Sequence, residues 1–536
     1  MLAKQEPATA AATATVPWWK GAAIYQIYPR SFADSNGDGI GDLPGIIGKL
    51  DYVASLGVDA IWLSPFFTSP MRDFGYDVAD YRGIDPIFGS LADFDLLVER
   101  AHALNLKVVI DQVYSHTSDQ HPWFQASRSN RSNDRSDWYV WAEPKPDGSP
   151  PNNWQSVFGG PAWTWDARRG QYYFHNFLPE QPGLNVHNPA VQQALLEVAA
   201  FWLDRGVDGF RLDAINFSMH DPELRDNPPA PPGGKRSRPF DFQQHLYNQS
   251  HPDIAKFLER VRALTDRYSD RFTVAEVGGD HALGEMRAFT AGEARLNSAY
   301  GFNFLYADKL SPALVASVAK DWPEDAGWPS WAFENHDAPR AISRWAEERH
   351  REHVARLKML LLCSLRGSII LYQGEELGLP QVEVPYDQLQ DPEAIANWPQ
   401  TLSRDGARTP MPWSSTATNA GFSEARPWLP VGKTHLGLTV DAQDSDVGSM
   451  LNFTRQCLDL RNRHPALHHG SMEIVRLTDQ LIVFERASPG QKLRCSFNLS
   501  DSRAELPSTK AAELVTVGEV ADGRLGPWSA IIEKLA

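Results

Sequence analysis

The sequence predicts an α/β protein: a closed (β/α)8 TIM barrel with an inserted subdomain after its third strand and an antiparallel β domain at its C-terminal end. Three observations lead to this prediction. From residue 22 to residue 372, short apolar segments rich in β-branched residues alternate with helical patterns about eight times. A long stretch rich in Trp, Asn, Asp and Pro, 114–187, interrupts the alternation. From residue 470 onward, short segments alternate apolar and polar residues with a period of two.

The individual elements follow from their periodicity. Apolar segments bounded by turn residues predict the eight barrel strands at 22–28, 60–63, 107–111, 207–212, 272–277, 301–304, 330–333 and 368–372. A helical period predicts helices at 46–56, 91–104, 190–205, 254–268, 313–320 and 340–365. Because consecutive strands are separated by helices, the sheet should be parallel and should close into a barrel.

The domain boundaries follow from the interruption at 114–187 and from the change of pattern at residue 470. Residues 1–113 and 188–469 should form the barrel, 114–187 the inserted domain, and 470–536 a C-terminal β-sandwich. A second interruption, the Pro and Gly run at 226–239 with Lys235, Arg236 and Arg238, predicts a solvated loop. Its position after the fourth strand leaves a role as a lid open.

Composition narrows the range of partners and compartments. The net charge of -16 and the pI near 5.5 argue against a nucleic-acid binder, which needs a basic face for phosphates. Residues 1–16 lack the features of a signal peptide, and no apolar run is long enough for a membrane span. Only Cys363, Cys457 and Cys495 are present, so we expect a cytoplasmic protein without a disulfide framework.

Charged residues stand at the C-terminal ends of four predicted strands. These are Asp111 after the third strand, Arg211 and Asp213 at the fourth, Glu276 at the fifth and Asp337 after the seventh. Arg211 and Asp213 are two residues apart, so a strand places them on one face. A neighbouring guanidinium lowers a carboxyl pKa and would keep Asp213 ionised. A buried structural ion pair is the alternative interpretation of this segment.

The residue types at this barrel mouth favour one kind of chemistry. Several carboxylates without a His/Cys cluster, a GxGxxG turn or a P-loop favour acid/base and nucleophilic chemistry on an acetal. Hydrolysis of a glycoside with retention uses one carboxylate as nucleophile and one as acid then base. Glu276 is the candidate acid, because apolar Val274 and Val277 flank it and burial raises a carboxyl pKa.

At this point the chain resembles a known family. Segments 111–116, 209–213, 275–277 and 335–337 resemble the four ordered signature regions of glycoside hydrolase family 13, the α-amylase family. Segments 181–185, 153–160 and 403–411 resemble the α-glucosidase and oligo-1,6-glucosidase branch of that family. Gly183 stands where that branch commonly has Asp, and Ser115 where amylases often have a calcium-ligating Asn. The resemblance extends from about residue 18 to the end.

The resemblance implies roles residue by residue. Asp213 would be the nucleophile that forms a β-glucosyl ester, Glu276 the general acid and then base, and Asp337 the third carboxylate that holds sugar hydroxyls. The residues implied to bind substrate are Asp73, Tyr76, Asp111, His116, Phe158, Phe177, Arg211, Ala214, His336 and Arg404. Among them, Asp73 and Arg404 match the pair that closes the non-reducing end of the pocket. For the aromatic members, core packing is the alternative.

The function implied is that of a retaining exo-acting α-glucosidase on short oligosaccharides or glucosides. Ala214 follows the nucleophile, where relatives selective for α-1,6 bonds tend to carry Val, so an α-1,4 preference is expected. Water and an acceptor compete for the same glucosyl ester, so glucosyl transfer is also expected. The alternatives are a sucrose-acting or isomerising relative, or a non-catalytic sugar-binding or transporter-associated homologue. The chain is expected to act as a monomer or homodimer.

A second motif predicts one structural divalent cation, Ca²⁺ or Mg²⁺. Segment 34–42 places oxygens with the spacing of the first part of an EF-hand loop, and family relatives carry a metal there. The predicted ligands are Asp34, Asn36, Asp38, Ile40 through its carbonyl, and Asp42. Position 12 is Gly45 and not Glu, and a plain turn is the alternative. His464, His468 and His469 resemble a metal cluster only by count and are expected on a solvated turn.

Overall fold

The computed structural model describes residues 16–233, 236–279, 281–320, 322, 327–400, 403–507 and 511–535. Residues 1–15, which hold nearly all of the segment predicted to lack a signal peptide, lie outside this range, as does Lys235. Within the described ranges, none of the helices combines the length and the apolar character that a bilayer crossing requires.

Eight parallel strands form the predicted closed barrel. Their bounds are Ala23–Ile27 (β1), Ala60–Leu63 (β2), Lys107–Val113 (β3), Gly209–Asp213 (β4), Phe272–Val277 (β5), Ser298–Gly301 (β6), Trp328–Ala332 (β7) and Ser368–Tyr372 (β8). Each strand pairs with the next one along the chain, and β8 pairs with β1. Almost every residue in these strands is buried, as expected when helices cover the outside of a parallel sheet.

Helices surround the barrel. The main ones are Leu43–Ile47, Leu50–Ser55, Leu91–Ala103, Pro189–Asp204, Ile254–Thr265, Ala282–Phe289, Pro312–Lys320, Ala341–Trp345, Arg351–Ser364 and Met450–Arg463. Two predicted helices are each divided in two. The segment 46–56 breaks near Gly48 and Lys49, and the segment 340–365 breaks after Trp345, where the backbone becomes extended at Ala346. The helix Ala282–Phe289 is absent from the sequence prediction.

The sixth strand was predicted three residues too late. The segment that pairs with β5 and β7 is Ser298–Gly301, and not 301–304. Phe302 instead lies on the wall of the barrel-mouth cavity. Phe304 packs outside the barrel against Phe333, with ring centroids 4.8 Å apart. The pairing therefore falls on the four residues that precede Phe302.

Two further regions complete the chain. Residues 114–187 contain the helix Pro122–Ser129 and a small sheet of Trp141–Ala142, Gln171–Phe174 and Trp163–Asp166. The C-terminal region contains a five-stranded antiparallel sheet, in the order Ser471–Leu477, Leu481–Ser488, Gln491–Asn498, Ala530–Leu535 and Ala511–Val517. Beside it lies a small sheet of Ala504–Glu505, Arg524–Leu525 and Val520–Ala521. The predicted antiparallel β domain is therefore present.

Strand register brings the charged residues together. On the β3 and β4 pair, Asp111 is opposite Arg211, and Val113 is opposite Asp213. On the β5 and β6 pair, Glu276 is opposite Tyr300. Since these positions lie at the C-terminal ends of the strands, their side chains meet at one end of the barrel.

Candidate active site

One arginine lies at the centre of the site. Arg211 is fully buried, and its Nη1 donates to Asp111 Oδ1 at 2.6 Å and to Asp213 Oδ1 at 2.5 Å. Its Nη2 forms an ion pair with Glu276, and its Nε donates to the Tyr300 hydroxyl at 3.0 Å. A single guanidinium thus holds three carboxylates from three neighbouring strands in fixed positions.

The pKa of Asp213 differs from the sequence prediction, in which Arg211 lowers it and keeps the carboxylate ionised. Burial raises the pKa of Asp213 well above its usual range, and the opposing effect of Arg211 is outweighed because Glu276 and Asp111 raise the pKa further. Burial likewise raises the pKa of Asp111 to about 6. Three carboxylates around one cation carry an excess negative charge, which favours the binding of a proton by the group.

The surroundings of Glu276 are more polar than its apolar sequence neighbours indicated. Its Oε1 accepts the Tyr300 hydroxyl at 3.0 Å and its Oε2 accepts the Ala214 backbone N–H at 3.2 Å, in addition to the Arg211 contact. Val274 and Val277 precede and follow it in the strand, but they do not line the cavity. The expectation of an apolar wall around this carboxylate was therefore wrong.

Ala214 is held in an unusual backbone conformation. Its φ of 36° and ψ of 45° lie in the left-handed region, which is uncommon for residues other than glycine. This turn directs its N–H at Glu276 immediately after the residue that contacts Arg211. Backbone strain at this position is thus coupled to the relative placement of Asp213 and Glu276.

The third carboxylate, Asp337, also lines the cavity. Asp337 Oδ1 accepts from Arg408 Nη2 at 2.6 Å and from Arg404 Nη1 at 3.4 Å. Burial raises the pKa of Asp337, but His336, Arg408 and Arg404 more than offset this, so its pKa lies below the ordinary value. Asp337 is consequently ionised at neutral pH.

His336 connects the third carboxylate to Tyr76. Its Nδ1 accepts the Gln26 side-chain amide at 2.8 Å, so its proton is on Nε2, which lies 2.6 Å from the Tyr76 hydroxyl and 3.3 Å from Asp337 Oδ2. The Tyr76 and His336 rings are nearly parallel, with centroids 5.4 Å apart. Burial lowers the pKa of His336 to about 3, which keeps this imidazole neutral.

The pair predicted to close the non-reducing end is formed. Arg404 Nη2 donates to Asp73 Oδ1 at 3.0 Å, while Asp391 fixes the guanidinium through contacts of 2.8 and 3.0 Å. Gln181 donates to the other oxygen of Asp73 at 3.2 Å. The Phe158 ring lies over the Arg404 guanidinium, 4.9 Å from its centroid. Asp73 and Arg404 therefore form a charged wall backed by an aromatic ring.

His116 lies beside this wall. Its Nε2 donates to the Tyr76 carbonyl at 3.1 Å and its Nδ1 accepts the Ser115 hydroxyl at 2.9 Å. Burial lowers the pKa of His116 to about 4, so the ring is neutral. Phe177 packs against it at 5.2 Å and against Phe158 at 5.7 Å. Both phenylalanines line the cavity. The sequence analysis had given core packing as the alternative for these residues.

A cavity of about 370 Å³ lies between these groups. Ten of the predicted site residues line it: Asp73, Tyr76, His116, Phe158, Phe177, Asp213, Ala214, Glu276, Asp337 and Arg404. Asp111, Arg211 and His336 lie beneath the wall and contact residues that line it. The predicted substrate-binding role of these three residues stays a prediction.

Several residues of the site were not predicted. Gln181, Arg238, Phe240, Phe302, Tyr306 and Glu393 line the cavity, while Tyr300 and Arg408 hold carboxylates from behind. Gln181, like Arg408, lies inside a segment that the sequence analysis already singled out, so its motif was a usable signal. Arg238 was named only as part of the solvated loop, Tyr300 lies in β6, Glu393 lies in the helix Pro392–Asn397, and none of the others belongs to a motif that the sequence analysis identified.

The loop after β4 is fastened across the cavity mouth. Arg238 donates to Glu393 Oε1 at 2.6 Å and to the Val157 carbonyl at 2.8 Å, bridging the inserted domain and the helix Pro392–Asn397. The next aromatic residue, Phe240, lines the cavity. Most of the described residues of 226–239 are exposed or partly exposed, as predicted for a solvated loop, and the contacts of Arg238 hold its end at the cavity mouth, where a lid role was left open.

The predicted cation loop offers oxygens of the class that a hard divalent ion prefers, but the carboxylate oxygens of Asp34, Asp38 and Asp42 do not all lie within 4.8 Å of one another. Asp34 accepts three backbone N–H groups, among them that of Gly39 at 2.8 Å, and the Ser423 hydroxyl at 2.5 Å. Gly39, at a φ of 90°, supplies the sharp turn. The other oxygens of the motif, on Asn36, Asp38, Ile40 and Asp42, belong to the oxygen class that Ca²⁺ and Mg²⁺ prefer.

Comparison with known proteins establishes the family. The description "Alpha amylase, catalytic domain" matches residues 26–470, which is most of the barrel and the inserted region. The chain belongs to the α-amylase family. The family resemblance inferred from the sequence motifs is thereby confirmed, and so is the barrel architecture.

Individual relatives of the α-amylase family cover nearly the whole chain. A protein of Rhizobium meliloti (strain 1021) named "Probable alpha-glucosidase" is 51% identical, covering 97% of both chains. The "Oligo-1,6-glucosidase" of Parageobacillus thermoglucosidasius is 36% identical, covering 97% of this chain and 99% of its own.

Solved structures of the α-amylase family agree with this fold. The alpha-glucosyl transfer enzyme XgtA is 50% identical with a TM-score of 0.93, covering 97% of this chain and all of its own. An isomaltulose synthase mutant from Erwinia rhapontici NX5, in complex with its natural substrate sucrose, is 32% identical with a TM-score of 0.89. It covers 98% of this chain and 100% of its own.

Proposed function

We propose that this protein is a retaining exo-acting α-glucosidase that removes terminal α-glucose from short substrates. The observation that carries the proposal is the cavity wall itself. Three carboxylates, Asp213, Glu276 and Asp337, face one space of about 370 Å³. Asp73 and Arg404 close part of that wall. Such a space fits one or two sugar rings and not a polysaccharide chain.

The first chemical step follows from the placement of the carboxylates. Asp213 Oδ2 attacks the anomeric carbon, while the proton retained by the carboxylate group passes through Glu276 to the leaving oxygen. The glycosidic bond breaks as the ester to Asp213 forms, and the aglycone departs as an alcohol. Arg211 holds Asp213 in the attacking orientation. Asp337, which is ionised and lines the same cavity, stabilises the positive charge that develops on the sugar.

The second step reverses the roles. Glu276, now ionised, takes a proton from water or from an acceptor hydroxyl, whose oxygen attacks the anomeric carbon and releases Asp213. Water gives glucose, and another alcohol gives a new α-glucoside. Two inversions at the same carbon retain the α configuration. Transfer is therefore a property of the same site, and the likeness to an alpha-glucosyl transfer enzyme supports it.

Sucrose isomerisation is the second candidate. Its support is the likeness to the isomaltulose synthase bound to sucrose, a structure at 32% identity. The relatives named alpha-glucosidase and oligo-1,6-glucosidase are the more similar, and they favour the hydrolytic reading. A non-catalytic sugar-binding role does not fit a site that keeps all three carboxylates on the cavity wall.

Product analysis separates these functions. We expect glucose from maltose, initially as the α anomer, less from isomaltose, and new α-glucosides when an alcohol acceptor is added. Incubation with sucrose and trehalose completes the panel. Conversion of sucrose mainly to an isomeric disaccharide, with little turnover of maltose, would favour the isomerase. Release of β-glucose would contradict retention.

The proposed α-1,4 preference depends on Ala214. In the Ala214→Val variant, the branched side chain should narrow the cavity beside the leaving group and shift the maltose to isomaltose rate ratio several-fold toward isomaltose. Because Ala214 has a positive φ, a β-branched residue there should also lower stability, by about 1 kcal/mol. Ala214→Gly is the matched control, since it relieves strain without adding bulk. An unchanged ratio in the valine variant would remove the basis for the preference.

Three further assignments complete the proposal. A cation at the Asp34 to Asp42 loop would link the chain after β1 to the segment at Ser423, a structural role far from any bond broken. The three cysteines are buried and free, which supports a cytoplasmic location. All proposed catalytic groups come from one chain, so a monomer or a homodimer would both be active.

A further inference from the structure

Two histidines and an aspartate lie together outside the proposed active site. His187, His251 and Asp253 each present one ligand atom, and these atoms lie within 4.8 Å of one another. All three side chains are partly exposed. The two imidazole rings are nearly perpendicular, with centroids 4.7 Å apart. Among the residues that the structure describes, no other His, Cys, Asp or Glu group has this geometry.

Hydrogen bonds prepare His187 to bind a metal. Its Nε2 lies 2.7 Å from the backbone carbonyl of His220, which can only accept, so the ring proton is on Nε2 and Nδ1 keeps its lone pair. A metal-bound histidine in proteins commonly donates its other ring N–H to a carbonyl in this way. This bond also fixes the ring orientation before any ion arrives.

The other two groups are free to adjust. His251 Nδ1 accepts the Asp253 backbone N–H at 3.2 Å, a long contact that the ring can give up. Among the described residues, the Asp253 carboxylate forms an ion pair with Lys256. Both side chains are well exposed, so this pair contributes little to stability. A shift of about 1 Å would bring the ligand atoms to tetrahedral separations.

The surroundings favour one class of metal. His187 precedes the helix Pro189–Asp204, and Asp253 directly precedes the helix Ile254–Thr265. The partial positive charge of two helix N-termini disfavours any cation, so an ion must be held by coordinate bonds to the imidazole nitrogens. Imidazole nitrogens bind borderline transition metals strongly, and two His with one carboxylate is a common zinc set.

We propose that His187, His251 and Asp253 form a binding site for a divalent transition metal ion of the zinc class, with the remaining position taken by water. The ion would join the end of the inserted region to the end of the loop after β4. His220, whose carbonyl orients His187, begins that loop, and its ring packs 6.2 Å from Trp154 and 6.1 Å from Phe174 in the inserted region. The loop between His220 and His251 carries Arg238 and Phe240, which line the cavity. Binding should therefore stabilise the cavity mouth.

Cobalt absorption tests the site directly. The untagged full-length protein is stripped with chelator, supplied with excess Ca²⁺ and Mg²⁺ to fill oxygen sites, and titrated with Co²⁺ while visible absorption is recorded. We expect one Co²⁺ per chain with a ligand-field band typical of nitrogen coordination, displaced stoichiometrically by Zn²⁺. Zn²⁺ should also raise the unfolding temperature. Absence of a Co²⁺ band in the wild-type protein would overturn the proposal.

Variants assign the ligands. His187→Gln and His251→Gln should each weaken Co²⁺ binding at least about 10-fold and abolish the thermal shift, and Asp253→Asn should weaken binding less. His353→Gln is the matched control, because His353 is exposed on the helix Arg351–Ser364 and lies outside the cluster. Equal affinity in all four variants would overturn the proposal. If circular dichroism shows that His187→Gln is unfolded, His251→Gln decides, since its ring makes only one long backbone contact.

Discussion

Two buried charge clusters lie at the C-terminal end of the barrel, and their charges are arranged differently. In the open cluster, Arg211 contacts Asp111, Asp213 and Glu276, and two of these three carboxylates face the cavity. In the closed cluster, Lys358 contacts Glu334 at 3.1 Å and Glu375 at 2.8 Å, and Arg340 also contacts Glu334 at 3.1 Å. The residues of the closed cluster are fully buried and none lines the cavity.

The difference is one of charge balance. The closed cluster has two cations for two carboxylates, so burial is compensated within the protein. The open cluster has one cation for three carboxylates, so its net charge is negative, and it lies at the wall of the cavity. A substrate that develops positive charge in its transition state would supply the missing compensation. The same residue types thus stabilise the fold in the closed cluster and take part in the reaction in the open cluster. The ratio of cations to carboxylates distinguishes the two clusters.

The largest expected effect is the loss of activity in Asp213→Asn. We expect kcat/KM to fall at least about 10³-fold on every glucoside, because the amide cannot form the glycosyl ester. Stability should stay the same or rise, since the change removes one of the excess charges from the open cluster. Both are measured with steady-state kinetics and urea unfolding. Asp51→Asn, at an exposed position, is the control. Appreciable activity in the cluster variant would contradict its role as nucleophile.

The opposite result is expected for the closed cluster. Lys358→Met should lower the free energy of unfolding by about 3–5 kcal/mol, because Glu334 and Glu375 would lose a buried partner. At temperatures where the variant is folded, kcat should remain within a few fold of the wild-type value. Lys433→Met, at an exposed lysine, is the matched control. A small stability loss combined with a large kcat loss would show that charge balance does not separate the two clusters.

The next effect concerns proton donation within the open cluster. Glu276→Gln should reduce turnover of maltose about 100-fold more than turnover of an aryl glucoside with a good leaving group, because only the sugar leaving group needs a proton. The comparison is made from kcat/KM on the two substrates with the same enzyme preparation. Tyr300→Phe, which removes one hydrogen bond to Glu276, should show the same trend more weakly. Equal losses on both substrates would contradict the acid assignment.

How far the sequence predicted the fold depended on local patterns. Buried β-branched runs located seven barrel strands, because burial on both faces gives such strands a continuous apolar signature. The sixth strand was misplaced because Ser298, Ala299 and Tyr300 carry no such run, and pairing with two neighbours overrides propensity. The breaks inside 46–56 and 340–365 were missed for different reasons: in the first the apolar pattern continues across the break, and in the second the run of charged residues after the break is compatible with an exposed helix.

For the site, the sequence predicted which residues meet but not their electrostatics. Motifs identified the cavity residues Asp213, Glu276 and Asp337, but proximity of Arg211 suggested a low pKa for Asp213 where burial raises it. The pKa of Asp213 depends on how many cations and how many carboxylates lie near it. Strands distant in sequence bring these groups together, so the closed barrel determines their number. The His187, His251 and Asp253 group was likewise hidden, because more than sixty positions separate its first two members.

The smallest predicted effect tests that electrostatic account through pH. Burial raises the pKa of Asp111 to about 6 in the folded state, above the value of about 3.9 for an unfolded chain, with Arg211 opposing the shift. Between these values the folded state binds more protons, so stability falls as pH rises, by about 3 kcal/mol once both states are ionised. Asp111→Asn has no charge to bury. Relative to wild type, the variant should therefore be more stable at pH 8 than at pH 5, as measured by urea unfolding at both values. Asp51→Asn should show no such difference, and a parallel pH response in the two variants would mean that Asp111 is ionised without penalty in the native state.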